Sequence, residues 1–130
     1  MKIFTGNNSA WSQKVNFVDE HNVGVGYDMS EHCCEYASWF ISKTKDVEYP
    51  LSESCEHADE TVIAPYSFDV GSFETVDEAK GLDAGGMVRF RLVADDLPDL
   101  FLHLFNCHNG YYSHGFTMTN GDDVLHESYL

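Results

Sequence analysis

The chain has 130 residues, with 22 Asp and Glu against seven Lys and Arg, for a formal charge of -15. That length sets a single domain over residues 1–130, long enough to bury a sizeable core. The charge repels nucleic acid and anionic membrane, and no apolar run approaches the ~20 residues of a membrane-crossing helix, so neither is expected as a partner.

Taken in chain order, Val15 and Phe17 share one face of Lys14–Asp19, Glu20-His21-Asn22 makes a turn, and Val23–Met29 returns, which predicts a first hairpin. Gly24 and Gly26 fall on one side of the returning strand, where they weaken it but let another backbone or a large ring approach closely. From Ser30 to Ser42, the spacing of Cys33, Tyr36, Ala37 and Phe40 predicts a short helix, capped by Asp28 or Ser30, that leads into a brief strand over 38–41. Residues 43–85 read as an irregular acidic connection. Within it Thr61–Ala64 is a short strand candidate closed by Pro65, Tyr66–Val70 and Phe73–Val76 are further strand pieces, and Asp77–Lys80 is one helical turn ended by Gly81.

Met87–Leu130 predicts four strands folded back and forth. Val88, Phe90 and Leu92 point one way while Arg89 and Arg91 point the other, the pattern of a half-buried strand. Leu100–Cys107 is apolar on both faces apart from His103, as a central strand would be. Tyr111–Met118 follows an Asn109-Gly110 turn, with Tyr112, His114, Phe116 and Met118 on one face, and Val124–Leu130 follows Asn120-Gly121. Asn-Gly tolerates the positive φ angles of a tight type I′ turn, so both dipeptides signal hairpins. The expected fold is α+β, mainly antiparallel β, with this C-terminal four-stranded meander and one or two short helices; a small closed β-barrel is the alternative. The last strand would lie at a sheet edge, where pairing with a second copy would make a homodimer.

With no apolar leader after Met1, a cytoplasmic location is expected, and with it four reduced cysteines. Two segments, Cys33-Cys34-Glu35-Tyr36-Ala37-Ser38-Trp39 and Asn109-Gly110-Tyr111-Tyr112-Ser113-His114-Gly115, carry a resemblance. Together they resemble an uncharacterised domain family, frequent in phage and mobile-element proteins, that pairs a Cys-Cys…Trp motif with an Asn-Gly-Tyr-Tyr hairpin. The resemblance implies a small accessory protein and brings no catalytic residues with it. In this chain His114 stands where that family more often has a small residue, and the acidic middle segment is longer.

Four chemistries are open to these residues. Cysteine and histidine lie close together at His32-Cys33-Cys34, Cys55-Glu56-His57 and Cys107-His108, so a zinc site is conceivable, with Cys107 and His114 as the pair to check first. The usual Cys-x(2-4)-Cys spacing is absent, and a reduced cysteine more often packs as a small apolar group, so no cofactor is expected. A thiolate at Cys34 or Cys107 with a histidine base would make a nucleophile, but the acidic surroundings do not favour the thiolate. Glu31 and Glu35, four apart, would share a helix face as a solvated pair or a cation site. Lastly, Tyr111 and Tyr112 beside His108 and His114 set amphipathic rings at a turn, which suits a binding surface, although cross-strand pairing in the core is the reading favoured for Tyr112. The function expected is that of a non-enzymatic interaction protein, engaging a basic protein partner through an acidic face or through this tyrosine-bearing hairpin. A small metal- or thiol-dependent enzyme or ligand-binding module centred on the Cys and His residues is the alternative.

Overall fold

A computed structural model describes residues 1–9, 12–30, 32, 35–45, 60–76, 85–107 and 112–130. Nine strands and one helical turn follow in chain order: β1 (Lys2–Ser9), β2 (Ser12–Val18), β3 (Val23–Asp28), β4 (Tyr36–Ser42), α1 (Glu60–Ile63), β5 (Ser67–Thr75), β6 (Gly86–Val93), β7 (Leu100–Cys107), β8 (Gly115–Asn120) and β9 (Asp123–Tyr129). They form two open antiparallel sheets, one ordered β1-β2-β3-β8-β9 and the other β4-β7-β6-β5. The mainly antiparallel β expectation holds, while the closed barrel does not.

One apolar cluster draws on both sheets. Val15, Phe17, Val25, Tyr27, Phe116 and Met118 come from the first, and Trp39, Val88, Phe90, Leu92, Leu102 and Leu104 from the second. Phe17 meets Trp39 edge-on at 4.9 Å between ring centroids, and Phe90 meets Phe116 at 6.2 Å. The Tyr27 hydroxyl crosses between the sheets and donates to the Phe105 carbonyl at 2.8 Å. This is a sandwich whose inner faces are the apolar halves of alternating strands. β7 departs from that alternation as expected, because it lies between β4 and β6: Leu102 and Leu104 enter the sandwich, while Phe101, His103 and Phe105 are buried on the far side of the sheet with Phe40 and Met87.

The first hairpin forms as expected, with Val15 opposite Tyr27 and Phe17 opposite Val25. The four C-terminal strands exist, but they are not one meander. β6 and β7 pair in the second sheet, whereas β8 and β9 pair in the first, so the chain changes sheets after β7. The Asn109-Gly110 dipeptide lies outside the described residues, but the strands on either side of it do not pair as a hairpin. The β8–β9 hairpin is real. Asn120 pairs with Asp123, so Gly121-Asp122 is the loop, and only Gly121 has a positive φ, of 60°. That pattern, glycine at the first loop position, is type II′ rather than type I′.

Two elements differ from expectation. β1 is an additional strand: among its described side chains only Ile3 packs on the core, while Phe4 is exposed, so its sequence lacks a clean alternation. The β-branched run Thr61-Val62-Ile63 is a helical turn, not a strand. Its one buried residue is Ile63, and its last carbonyls take hydrogen bonds from the Tyr66 amide and the Met1 nitrogen. The start of the expected 30–37 helix and the turn expected at 77–81 fall partly or wholly outside the described residues; Tyr36–Ser42 is strand.

Candidate functional site

Strand direction sorts the polar residues to the two ends of the sandwich. At one end β3 stops at Asp28 and β8 starts at Gly115, which brings His114 against the end of β3. The His114 Nδ1 lies 2.8 Å from the Asp28 carbonyl oxygen, an acceptor, so Nδ1 carries a proton and donates it. Nε2 lies 3.2 Å from Glu35 Oε1, and the two side chains are 2% and 0% exposed. The same Glu35 oxygen accepts the His32 amide at 2.6 Å. Above this buried pair the exposed His32 ring stacks on Tyr112 at 5.4 Å, with His114 at 6.0 Å from His32. Asn106, itself buried at the end of β7, donates to the Tyr112 and Leu130 carbonyls, both at 2.9 Å.

With both ring nitrogens engaged, His114 acts as a clasp joining β3, β8 and the segment before β4. It has no nitrogen turned to solvent for a metal or a substrate proton. The Asp28 carboxylate nearby is pulled up by partial burial, but the Ser30 hydroxyl at 2.5 Å and amide at 3.0 Å, with Lys14 across the strand, hold it below the usual carboxylate range.

Of the residues singled out in the sequence, Tyr112 is exposed instead of joining the core, because its ring stacks on the exposed His32, while His114 is buried and Cys107 is partly exposed at the end of β7, opposite Tyr36. Tyr111 and His108 lie outside the described residues, as do Cys33, Cys34, Cys55 and Glu31. Among the described residues no group of three or more His, Cys, Asp or Glu side chains is arranged to hold a metal ion, and no helix is long and apolar enough to cross a membrane. The sequence reading placed Glu35 in a solvated pair with Glu31 and so missed its partnership with His114, 79 residues away. Its position between Cys34 and the apolar run Tyr36–Ile41 was the available signal.

The second sheet's outer face is neutralised. Arg89 donates to Glu74 at 2.9 and 2.7 Å, Lys45 reaches Glu74 at 3.2 Å, and Arg91 bridges Asp69 at 3.1 Å and Asp99 at 2.7 Å. Hydrogen bonds from Arg89 and then Lys45 hold the Glu74 carboxyl below its ordinary value. Beneath them His103 stacks on Phe40 at 4.3 Å, its Nε2 2.8 Å from the Ser42 hydroxyl and its Nδ1 without a partner among the described residues. Burial, with the Arg89 charge, pushes His103 down to about 4.

The other end of the sandwich is different. The β2–β3 turn, the β8–β9 tip, the β6–β7 turn and the stretch after α1 meet there: Gly121 donates to the Asn22 carbonyl at 2.9 Å, Phe68 to Asp19 Oδ2 at 2.9 Å, and the Tyr66 hydroxyl to the Pro98 carbonyl at 2.6 Å. Asp19 organises the end, its Oδ1 accepting the His21 and Val23 amides, each at 2.9 Å. Around it stand the exposed carboxylates Glu20, Glu60, Asp95, Asp96, Asp122 and Asp123. Among the described residues none of these six makes an ion pair; the Lys and Arg side chains that do are committed to the second sheet's outer face.

Comparison of the chain with protein-family models, with curated proteins and with solved structures gives no match.

Proposed function

We propose that this protein is a small non-enzymatic interaction module that binds a basic segment of a partner protein with the acidic end of its sandwich. The observation that carries this reading is the gathering of Glu20, Glu60, Asp95, Asp96, Asp122 and Asp123 on turns and element starts at one end, free of ion pairs among the described residues. Turns held by a rigid sandwich are where binding residues concentrate, and a surface dominated by one sign speeds encounter with the opposite charge. The resemblance of the Cys33–Trp39 and Asn109–Gly115 segments supports an accessory role in a phage or mobile element.

The test is capture from lysate at low ionic strength by the native protein and by a variant carrying Asp95→Asn, Asp96→Asn, Asp122→Asn and Asp123→Asn. A basic protein retained by the native form, and released both by added salt and by the variant, supports the reading. A partner held equally in every condition sinks it. A second contact, at the opposite end, is favoured by the exposed Tyr112 ring stacked on His32. There a partner would be lost with Tyr112→Ala and kept in the four-Asn variant.

A further inference from the structure

The outward face of the five-stranded sheet carries a feature that neither end of the sandwich uses. Strand register sets Asn16, Gly26 and Thr117 in one row across β2, β3 and β8. In the next row Lys14 faces Asp28, and Gly115 faces Tyr129. Gly26 and Gly115 contribute no side chain of their own, and beside them lies a shallow groove of about 240 Å³ lined by Lys14, Asn16, Asp28 and Thr117. Glycine inside a strand weakens it and often marks a place where something approaches the backbone closely.

The groove is polar below and bordered by an aromatic ring. A Cβ on Gly26 would meet Asn16 Oδ1 at 2.8 Å, so the Asn16 amide lies over that glycine; among the described residues it makes no hydrogen bond. A Cβ on Gly115 would sit 3.4 Å from Tyr129 Cε1, so one edge of that ring rests on the glycine. Tyr129 is nevertheless 71% exposed, which leaves most of the ring to solvent. The two Ser30 hydrogen bonds to Asp28 both end on Oδ1, leaving Oδ2 as an acceptor. Amide, ammonium, hydroxyl and carboxylate beside an open aromatic ring match a ligand rich in hydroxyls with one apolar face. The charge of -15 disfavours an anionic ligand.

We propose that this groove binds one neutral hexose unit of an oligosaccharide, hydrogen-bonded by Lys14, Asn16, Asp28 and Thr117 and stacked against Tyr129. The proposal is independent of the acidic end.

Amide NMR spectra of the whole protein, titrated with cellotriose, maltotriose and mannotriose at millimolar concentration, test it. The expected result is saturable shifts at the groove residues with at least one trisaccharide. Loss of the stacking ring in Tyr129→Ala weakens that binding about tenfold. Gly26→Val, whose side chain would push the Asn16 amide out of place, abolishes it. Tyr129 is exposed, so its variant keeps the fold and the test stands even where Gly26→Val does not fold. No shifts with any of the three sugars overturn the proposal, as does undiminished affinity in Tyr129→Ala. Concentration-dependent shifts at these residues without sugar would assign the face to a second copy, and shifts with a lysine-rich peptide alone would assign it to a basic partner; both overturn it.

Discussion

At the scale of single residues, the buried histidines do opposite things. His103 is neutral in the folded chain down to about 4, against an ordinary 6.5. Between those values the unfolded chain holds a proton on this ring and the folded chain does not. Stability is therefore intact above pH 6.5 and falls as the pH drops through the window, by about 1.4 kcal/mol per unit and on the order of 3 kcal/mol by pH 4. His103→Phe keeps a ring against Phe40 but removes the titrating group. Urea unfolding of both proteins from pH 7 to 4 should show a steeper fall in stability for the native protein than for the variant, and parallel slopes would refute the assignment. His114, by contrast, is held on both nitrogens. His114→Leu removes one hydrogen-bond partner of the buried Glu35, a change that costs roughly 1–3 kcal/mol. Replacing His114 and Glu35 together by Leu should cost less than the two single changes added. A double-mutant cycle of urea midpoints measures that coupling, and strict additivity would mean that the pair does not act as a clasp.

At the scale of elements, the sequence was legible wherever a strand had one wet face. Val15 and Phe17 in β2, and Val88, Phe90 and Leu92 in β6, alternate with polar residues because solvent or ion pairs lie on the other side. β7 was legible for the converse reason, being buried on both faces. What alternation cannot state is which apolar face covers which. β8 was therefore read as the hairpin partner of β7, although it pairs with β3 and β9. The candidate site divided in the same way. His114 stood out by type, but its partner Glu35 did not, since sequence spacing reports neighbours along an element rather than contacts across the fold. Asp19 is a similar case. It reads as the last residue of the first strand, yet it accepts two amides of the turn that follows and the Phe68 amide at the start of β5, joining the two sheets. Three hydrogen bonds to one carboxylate, two of them buried, make Asp19→Ala destabilising by about 3 kcal/mol, well above the ordinary turn substitution. Hydrogen exchange should show the Val23 and Phe68 amides losing protection together; loss at Val23 alone would mean that the link to β5 carries little.

At the scale of the whole molecule, salt should move folding and binding in opposite directions. Two effects compete as ionic strength rises. The ion pairs of Lys45, Arg89 and Arg91 weaken, while repulsion among the surplus carboxylates is screened. Partly exposed pairs contribute little, of order 0–1 kcal/mol each. The repulsion acts among many charges, since the chain carries -15 and the six carboxylates at the acidic end have no ion-pair partners among the described residues. Relief of repulsion should win. Raising sodium chloride from low to about 0.5 M, where the screening length falls to roughly 4 Å, should stabilise the fold by about 1 kcal/mol, or roughly 4 °C in the unfolding midpoint for a domain of this length. Capture of a basic partner should weaken over the same range, because the carboxylates that repel one another are those that would attract it. Thermal scans and binding measurements in matched buffers separate the two: a midpoint that falls with salt would show that the ion pairs on the second sheet outweigh the crowded acidic turns.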